Sequence, residues 1–194
     1  CYLMMPRIFR KEAEQYFRKQ MELLTSAGFD ALGIGSMEEP GFLREAGIEL
    51  PMYFDQGMYS WNHLAGAAME RYGADRLTIP VELNEREIRD SGVQGEMIVY
   101  GYLPMMISAQ CIRKTTLGCS GKSEIMWLKD RKDMRFPVVN QCRFCYNTIY
   151  NSAPLSLLGL SEQVTGLKPN AVRLNFTVEE PAAAGEILDA VFEE

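Results

Sequence analysis

"PMYFDQGMYSWNHLAGAAMERYGADRLTIPVEL", residues 51–83, carries a short apolar run, an amphipathic segment and a second short apolar run in succession. The outer runs, "PMYFD" (51–55) and "RLTIPVEL" (76–83), have strand length and are apolar on both faces, as strands buried between two layers are. The segment between them, "SWNHLAGAAMERYGAD" (60–75), is expected to be a helix with Ser60 as its N-cap and Gly73 as its stop. Strand, helix and strand within about 30 residues is the pattern of a βαβ unit, which builds a parallel sheet.

The pattern repeats on both sides. "CYLMMP" (1–6), "ALGIG" (31–35), "EMIVYGYLPMMIS" (96–108) and "NAVRLNFTV" (170–178) read as further buried strands. "RKEAEQYFRKQMELLTSAG" (10–28) reads as one helix, because Ala13, Phe17, Met21 and Leu24 recur three or four residues apart ahead of Gly28. "EEPGFLREAG" and "NEREIRDSG" are shorter versions, and "EPAAAGEILDAVFEE" opens with acids and Pro181 as a helix N-terminus should. Five strand–helix units precede residue 110 and one follows residue 169, whereas a complete eight-unit barrel takes about 250 residues. The expected fold is α/β, a partial or interrupted TIM-like (β/α) barrel forming a single domain over residues 1–194. Its alternation breaks between Leu103 and Pro169. There "MWLKD" and "RFPVVN" flank a "DRKD" turn, and "TIYNSAPLSLLGLSEQVTGL" reads as loop and short helix. A cysteine-rich β-hairpin inserted at about residues 109–150 is the simplest description.

Composition bounds the function only loosely. The chain is 47% apolar and 24% charged with a net charge of -6, ordinary for a globular protein and unlike a disordered or collagenous one. No stretch approaches the roughly 18–20 apolar residues of a membrane span, and no basic-then-apolar leader opens the chain. A soluble, cytoplasmic protein with no membrane partner is expected. The start, "CYLMMPRIF", lacks an initiator Met, which suggests a piece of a longer polypeptide whose remaining domains are partners. Five cysteines, an odd number, do not resemble a secreted disulfide framework, so reduced thiols that bind something are expected.

Four of the five thiols fall in one segment: Cys111, Cys119, Cys142 and Cys145, separated by seven, twenty-two and two residues. The last pair, "CRFC", is a hook that lets two thiolates bind one metal from a single turn. Four thiolates from two sequence arms suit a structural zinc or an iron–sulfur cluster, and spacing alone does not choose between these and unligated buried thiols. Cys1, on the first strand, reads as a small buried hydrophobe.

"VYGYLPMMISAQC" (99–111) resembles the signature of the collagenase-like peptidases, peptidase family U, number 32, through Gly101, Leu103, Ser108 and Cys111. Pro104 stands where the signature has its first Cys, and Cys119 with the "CRFC" pair makes up the number. Residues 54–83 are similar to the passage of that family that holds Asp55, Asn62, Gly73, Glu82 and Leu83 in order, and the resemblance extends from about residue 50 to residue 178. It implies a barrel-related fold and a four-cysteine [4Fe–4S] cluster on Cys111, Cys119, Cys142 and Cys145, with zinc as the alternative. It also implies a role in hydroxylation of ribosomal or transfer RNA bases, or else in proteolysis of collagen-like or other peptides. A non-catalytic substrate-binding or assembly module is the third reading.

The residues discriminate among these. A zinc protease needs HExxH, and the chain holds a single histidine, His63, with no GxSxG elbow elsewhere. Weak catalytic candidates are Asp55 and Glu82, after two consecutive strands where barrel enzymes place their sites, with Asn62 and His63 at the following helix. For Asn62, Asp55 and Glu82, capping a helix is the competing role. From Arg113 to Arg143 the chain carries a local charge of +5, leaving -11 for the rest. Lys129, Arg131, Lys132, Arg135 and Arg143, interleaved with Trp127, Phe136 and Phe144, are the RNA-binding candidates, since cations hold phosphates and rings stack bases. Compensating a cluster's negative charge is the competing role for the same cations. Arg7, Arg10 and Arg173 sit near strand ends, where they can hold an anionic small molecule.

Overall fold

The computed structural model describes residues 1–193, a mixed α/β chain that divides into two compact units. The first comprises residues 1–97 and 165–172, the second residues 98–164 and 173–194.

The first unit is built on a parallel sheet in the order β1 (Tyr2–Met4), β2 (Ala31–Ile34), β3 (Met52–Phe54), β4 (Arg76–Leu77). A parallel bridge from Thr78 to Glu96 continues the run to the start of β5 (Glu96–Gly101). Helices return the chain between strands: α1 (Lys11–Lys19) with α2 (Met21–Ser26), α3 (Glu38–Glu45), α4 (His63–Tyr72) and α5 (Glu85–Ser91). All four residues of β2 are buried, and Leu32, Ile34 and Phe54 meet Ala13, Phe17, Leu24, Phe42 and Leu43 of the helices in the buried core.

Several local expectations change. The 10–28 helix divides at Gln20, whose φ of -105° and ψ of 17° are not helical, although Ala13, Phe17 and Leu24 are buried as their spacing requires. Ser60 does not cap α4, because its Oγ donates to the Thr78 carbonyl; Asn62 caps instead, accepting from Ala65 N at 3.0 Å. Gly73 closes α4 with φ 112°, a conformation an L side chain rarely adopts. The run at 76–83 keeps only two strand residues, with Pro80 breaking the ladder soon after.

In the second unit the run at 96–108 is two strands rather than one. At Gly101 φ reaches 142°, and an added Cβ would stand 2.4 Å from the Asn175 carbonyl, so the chain turns out of β5 there. β5 lies between β10 (Leu155–Ser156) and β11 (Ala171–Asn175). A separate antiparallel sheet follows in the order β6 (Pro104–Ser108), β9 (Tyr146–Tyr150), β8 (Arg135–Gln141), β7 (Ile125–Lys129). β7 and β8 form an antiparallel hairpin, with Trp127 opposite Pro137. β9 was expected as loop, and its alternation is masked because Asn147 and Thr148 are buried polar residues. Two short helices, α6 (Ile112–Thr116) and α7 (Ser161–Gly166), and the terminal α8 (Pro181–Glu193) complete the chain. No sheet closes on itself, and no helix is long and apolar enough to cross a membrane, among the described residues.

Candidate functional site

The hook forms where β8 turns into β9. Gln141 pairs with Tyr146, leaving Cys142 to Cys145 as the four-residue connection. The turn is closed by Phe144 N donating to the Gln141 carbonyl and by Cys145 at φ 52°, which brings the second thiol back toward the first. Ser123 Oγ accepts from Cys142 N at 3.4 Å, and the Cys142 thiol donates to the Lys122 carbonyl at 3.0 Å. The loop before β7 is thereby tied to the hook.

The other arm starts at Cys111, which occupies the N-cap of α6 and accepts from Lys114 N on its Sγ at 3.4 Å. Cys119 follows Gly118, whose carbonyl accepts from Arg113 Nη1; Arg113 also pairs with Glu124. Asn147, fully buried on β9, donates from Nδ2 to the Gln110 carbonyl at 2.8 Å and so fastens the first arm beside the hook.

Burial pushes the Cys142 thiol up, and the nearby Cys111, Cys119, Cys145 and Glu124 push it in the same direction. Cys111, Cys119 and Cys145 are thus near enough to act on the Cys142 thiol, the first two from an arm more than twenty residues away in the chain. All five cysteines are free, Cys119 and Cys145 exposed, and Cys1 is exposed instead of buried as its apolar strand suggested. No group of three or more His, Cys, Asp and Glu side chains among the described residues stands in ligating geometry. The donor set itself, four soft thiols with a backbone N–H on one sulfur, suits zinc and iron–sulfur chemistry alike.

The cations separate into two places. Lys129, Arg131, Lys132 and Arg135 gather at the β7–β8 tip, whereas Arg143 lies in the cysteine turn at the other end of the seven-residue β8, about 20 Å away. At the tip, Lys129 pairs with Asp133 at 2.8 Å, and Asp130 Oδ1 accepts from Lys132 N and Met134 N to shape the turn. Since Trp127 opposes Pro137 and Lys129 opposes Arg135, alternation sets Trp127, Lys129 and Arg135 on one face of the hairpin. Trp127 is 57% exposed. Phe136 takes the opposite face, and Phe144 is in the cysteine turn. The cations nearest the thiols in the chain are Arg113, Lys114, Lys122 and Arg143.

The catalytic candidates belong to the first unit and are scattered in character. Asp55, at the carboxyl end of β3, is 5% exposed and accepts from Arg7 Nη2 at 2.7 Å. Asn62 is exposed and committed to capping α4, and His63, the first residue of that helix, is exposed as well. Glu82 is exposed on the turn after β4, and α5 is capped by Asn84 with Glu87 in a reciprocal capping box. Arg10 precedes α1 without a capping side chain, and Arg173 is half-buried on β11.

Sequence reading passed over Glu39 and Gln56, both buried. Glu39 stands in a run of acids that reads as a solvated helix start, and Gln56 has no motif around it. Glu39 Oε2 accepts from Gly35 N at 2.7 Å and Ser36 N at 3.3 Å, yet burial outweighs these bonds and raises its carboxyl from 4.5 to about 8.

Compared with known proteins, the chain matches a family model, Peptidase family U32, over residues 1–177 of its 194. No curated protein and no solved structure matches it.

Proposed function

The chain belongs to peptidase family U32, and on that premise we propose that its second unit holds a [4Fe–4S] cluster on Cys111, Cys119, Cys142 and Cys145, within an enzyme that hydroxylates RNA bases in the cytoplasm. The observation that carries this reading is the four-residue turn that holds Cys142 and Cys145, with Cys111 and Cys119 of the other arm near enough to act on the Cys142 thiol. When bound, a cluster supplies a one-electron couple tuned by hydrogen bonds to its sulfurs and by exposure. Lys114 N would keep its bond to the Cys111 sulfur, and Asn147 would hold the Cys111 arm against the hook. Ligation would release the Cys142 proton, so loading strengthens as pH rises through the thiol range.

RNA is the favoured substrate because the hairpin tip presents Trp127 on one face with the Lys129–Arg135 cross-strand pair, a ring for stacking beside two cations for phosphates. In this reading the tip cations serve RNA, and Arg113, Lys114, Lys122 and Arg143 offset the thiolates. In this reading the parallel run from β1 to the start of β5 is an arc of a (β/α) barrel, and the antiparallel sheet is the insertion. Proteolysis has less support: the one histidine is exposed at a helix start, and the sequence lacks a zinc-protease motif.

Iron, sulfide and zinc counts with an anaerobic absorbance spectrum test the cluster. About four irons per chain and a broad visible band are expected; zinc without iron after anaerobic reconstitution refutes it. Binding to transfer or ribosomal RNA fragments should weaken steeply with salt, and salt-independent or absent binding removes the RNA reading.

A further inference from the structure

The parallel sheet of the first unit ends, at its carboxyl edge, in polar residues that the cluster reading leaves unused. Arg7 follows β1, Gly35, Ser36 and Glu39 follow β2, and Asp55, Gln56 and Gly57 follow β3. Contacts draw them into one neighbourhood. Arg7 Nη2 donates to Asp55 Oδ2 at 2.7 Å, and a Cβ on Gly57 would stand 3.1 Å from Arg7 Nη1 and 3.5 Å from the Gly35 carbonyl. Gly35 N in turn donates to Glu39 Oε2 at 2.7 Å. Open parallel sheets bind their ligands outside the carboxyl ends of the strands, where the backbone termini of several strands and loops converge.

Three polar atoms at this edge have no hydrogen-bond partner although they are buried: Ser36 Oγ, Glu39 Oε1, on a residue 0% exposed, and Gln56 Nε2, on a residue 6% exposed. Each such atom is destabilising unless something pairs with it, so three of them beside a buried ion pair require an explanation. Just past them Tyr59 takes the left-handed conformation, φ 57°, to leave the turn. Backbone strain of this kind in a non-glycine residue gathers where a site is being shaped.

We propose that this carboxyl edge binds a small uncharged ligand, or the uncharged end of a larger one, which presents carbonyl-type oxygens to Gln56 Nε2 and Glu39 Oε1 beside the Arg7–Asp55 pair. The chemistry of the class follows from the donors. Gln56 Nε2 can only donate. Glu39 Oε2 already accepts two backbone N–H groups, and with its carboxyl raised to about 8 the side chain keeps its proton at neutral pH, on Oε1, which therefore donates as well. The Arg7 charge is met by Asp55, so an incoming anion would be buried without a counter-charge of its own, a costly arrangement. A neutral acceptor satisfies the Gln56 and Glu39 donors, with the Ser36 hydroxyl beside them as a further donor, and leaves the ion pair intact. This inference stands whether or not the second unit binds a metal.

Amide NMR of the whole labelled chain at pH 7, titrated in parallel with acetamide and with sodium acetate, tests it. Acetamide should move the Gly35, Ser36 and Gly57 signals along a saturating curve while β8 and β9 signals stay in place. Gln56→Leu should weaken that curve by about tenfold or more, and Glu39→Gln, which keeps a donor, should retain it within a few-fold. Saturation by acetate but not acetamide overturns the ligand class. The absence of saturating shifts with either probe in the folded wild-type chain, or shifts spread evenly over both units, overturns the site.

Discussion

The two sheets of this protein solve the burial problem in opposite ways. In the first unit, β2 is buried at every residue, and Leu32, Ile34 and Phe54 are sealed between layers. In the second, β7 is exposed at four of five positions, and the central strands of its sheet bury Asn140, Asn147 and Thr148 beside Val138. A parallel sheet roofed by helices gains mainly from apolar area. The antiparallel sheet gains less apolar area and depends on side-chain hydrogen bonds such as Asn147 to Gln110, and in the proposed holo form on thiolate bonds. The first unit holds its shape mainly through packing, whereas the second leaves more of its sheet open to solvent.

The contrast can be broken most forcefully in the apolar unit. Phe54→Ala, at a residue 1% exposed, should cost about 3–5 kcal/mol in denaturant unfolding. A cost below about 1 kcal/mol would mean that the first unit is not packed as described. Trp127→Ala, equally large but 57% exposed, should shift stability by no more than about 0.5 kcal/mol.

Next in size is a pH effect confined to the first unit. The folded chain holds the Glu39 proton to about pH 8, whereas the unfolded chain releases it near 4.5. Its contribution is therefore intact below 4.5 and is lost as pH rises to about 8, with a slope of up to about 1.4 kcal/mol per pH unit. Urea unfolding of wild type and Glu39→Gln across that window should give a difference that tracks this slope. Parallel curves would show that Glu39 is ionised when folded.

In the second unit, Asn147→Ala should cost about 1–2 kcal/mol, because it removes the buried donor to Gln110 and leaves a void on β9. Hydrogen exchange should speed up at β8, β9 and the Cys111 arm and stay unchanged at β2 and β3. Uniform acceleration would mean that the two units unfold together.

The smallest expected effect concerns the tip. Lys129→Ala and Arg135→Ala should leave unfolding curves within about 0.5 kcal/mol of wild type while each lowers the salt slope of RNA binding by about 1. An unchanged slope would move RNA away from this face.

Much of this organisation was legible in the residues. The βαβ rhythm survives as β1 to β4 because a strand covered on both faces must be a continuous apolar run, and such runs are visible without any partner. The four cysteines were visible as a set in the sequence because they fall in one segment that ends in a C-x2-C pair. β9 was not legible, since Asn147 and Thr148 look solvent-facing until their partners across the sheet are known. Ser60 and Asn62 offered equivalent caps two residues apart, and only the position of the Thr78 carbonyl decided between them. The basic segment read as one belt, because linear spacing does not reveal that a hairpin sends its cations to opposite ends of a strand.

By itself, then, the sequence determined the parallel strand–helix scaffold, the identity of the four thiols and the family to which the chain belongs. These depend on local periodicity and on residue types with few alternatives. Only the tertiary structure decided which polar groups are buried: Glu39, Gln56, Asn140 and Asn147 are ordinary polar residues in the sequence. Their desolvation, orphaned atoms and altered acidity arise from neighbours brought in by packing, and no spacing rule along the chain encodes that environment.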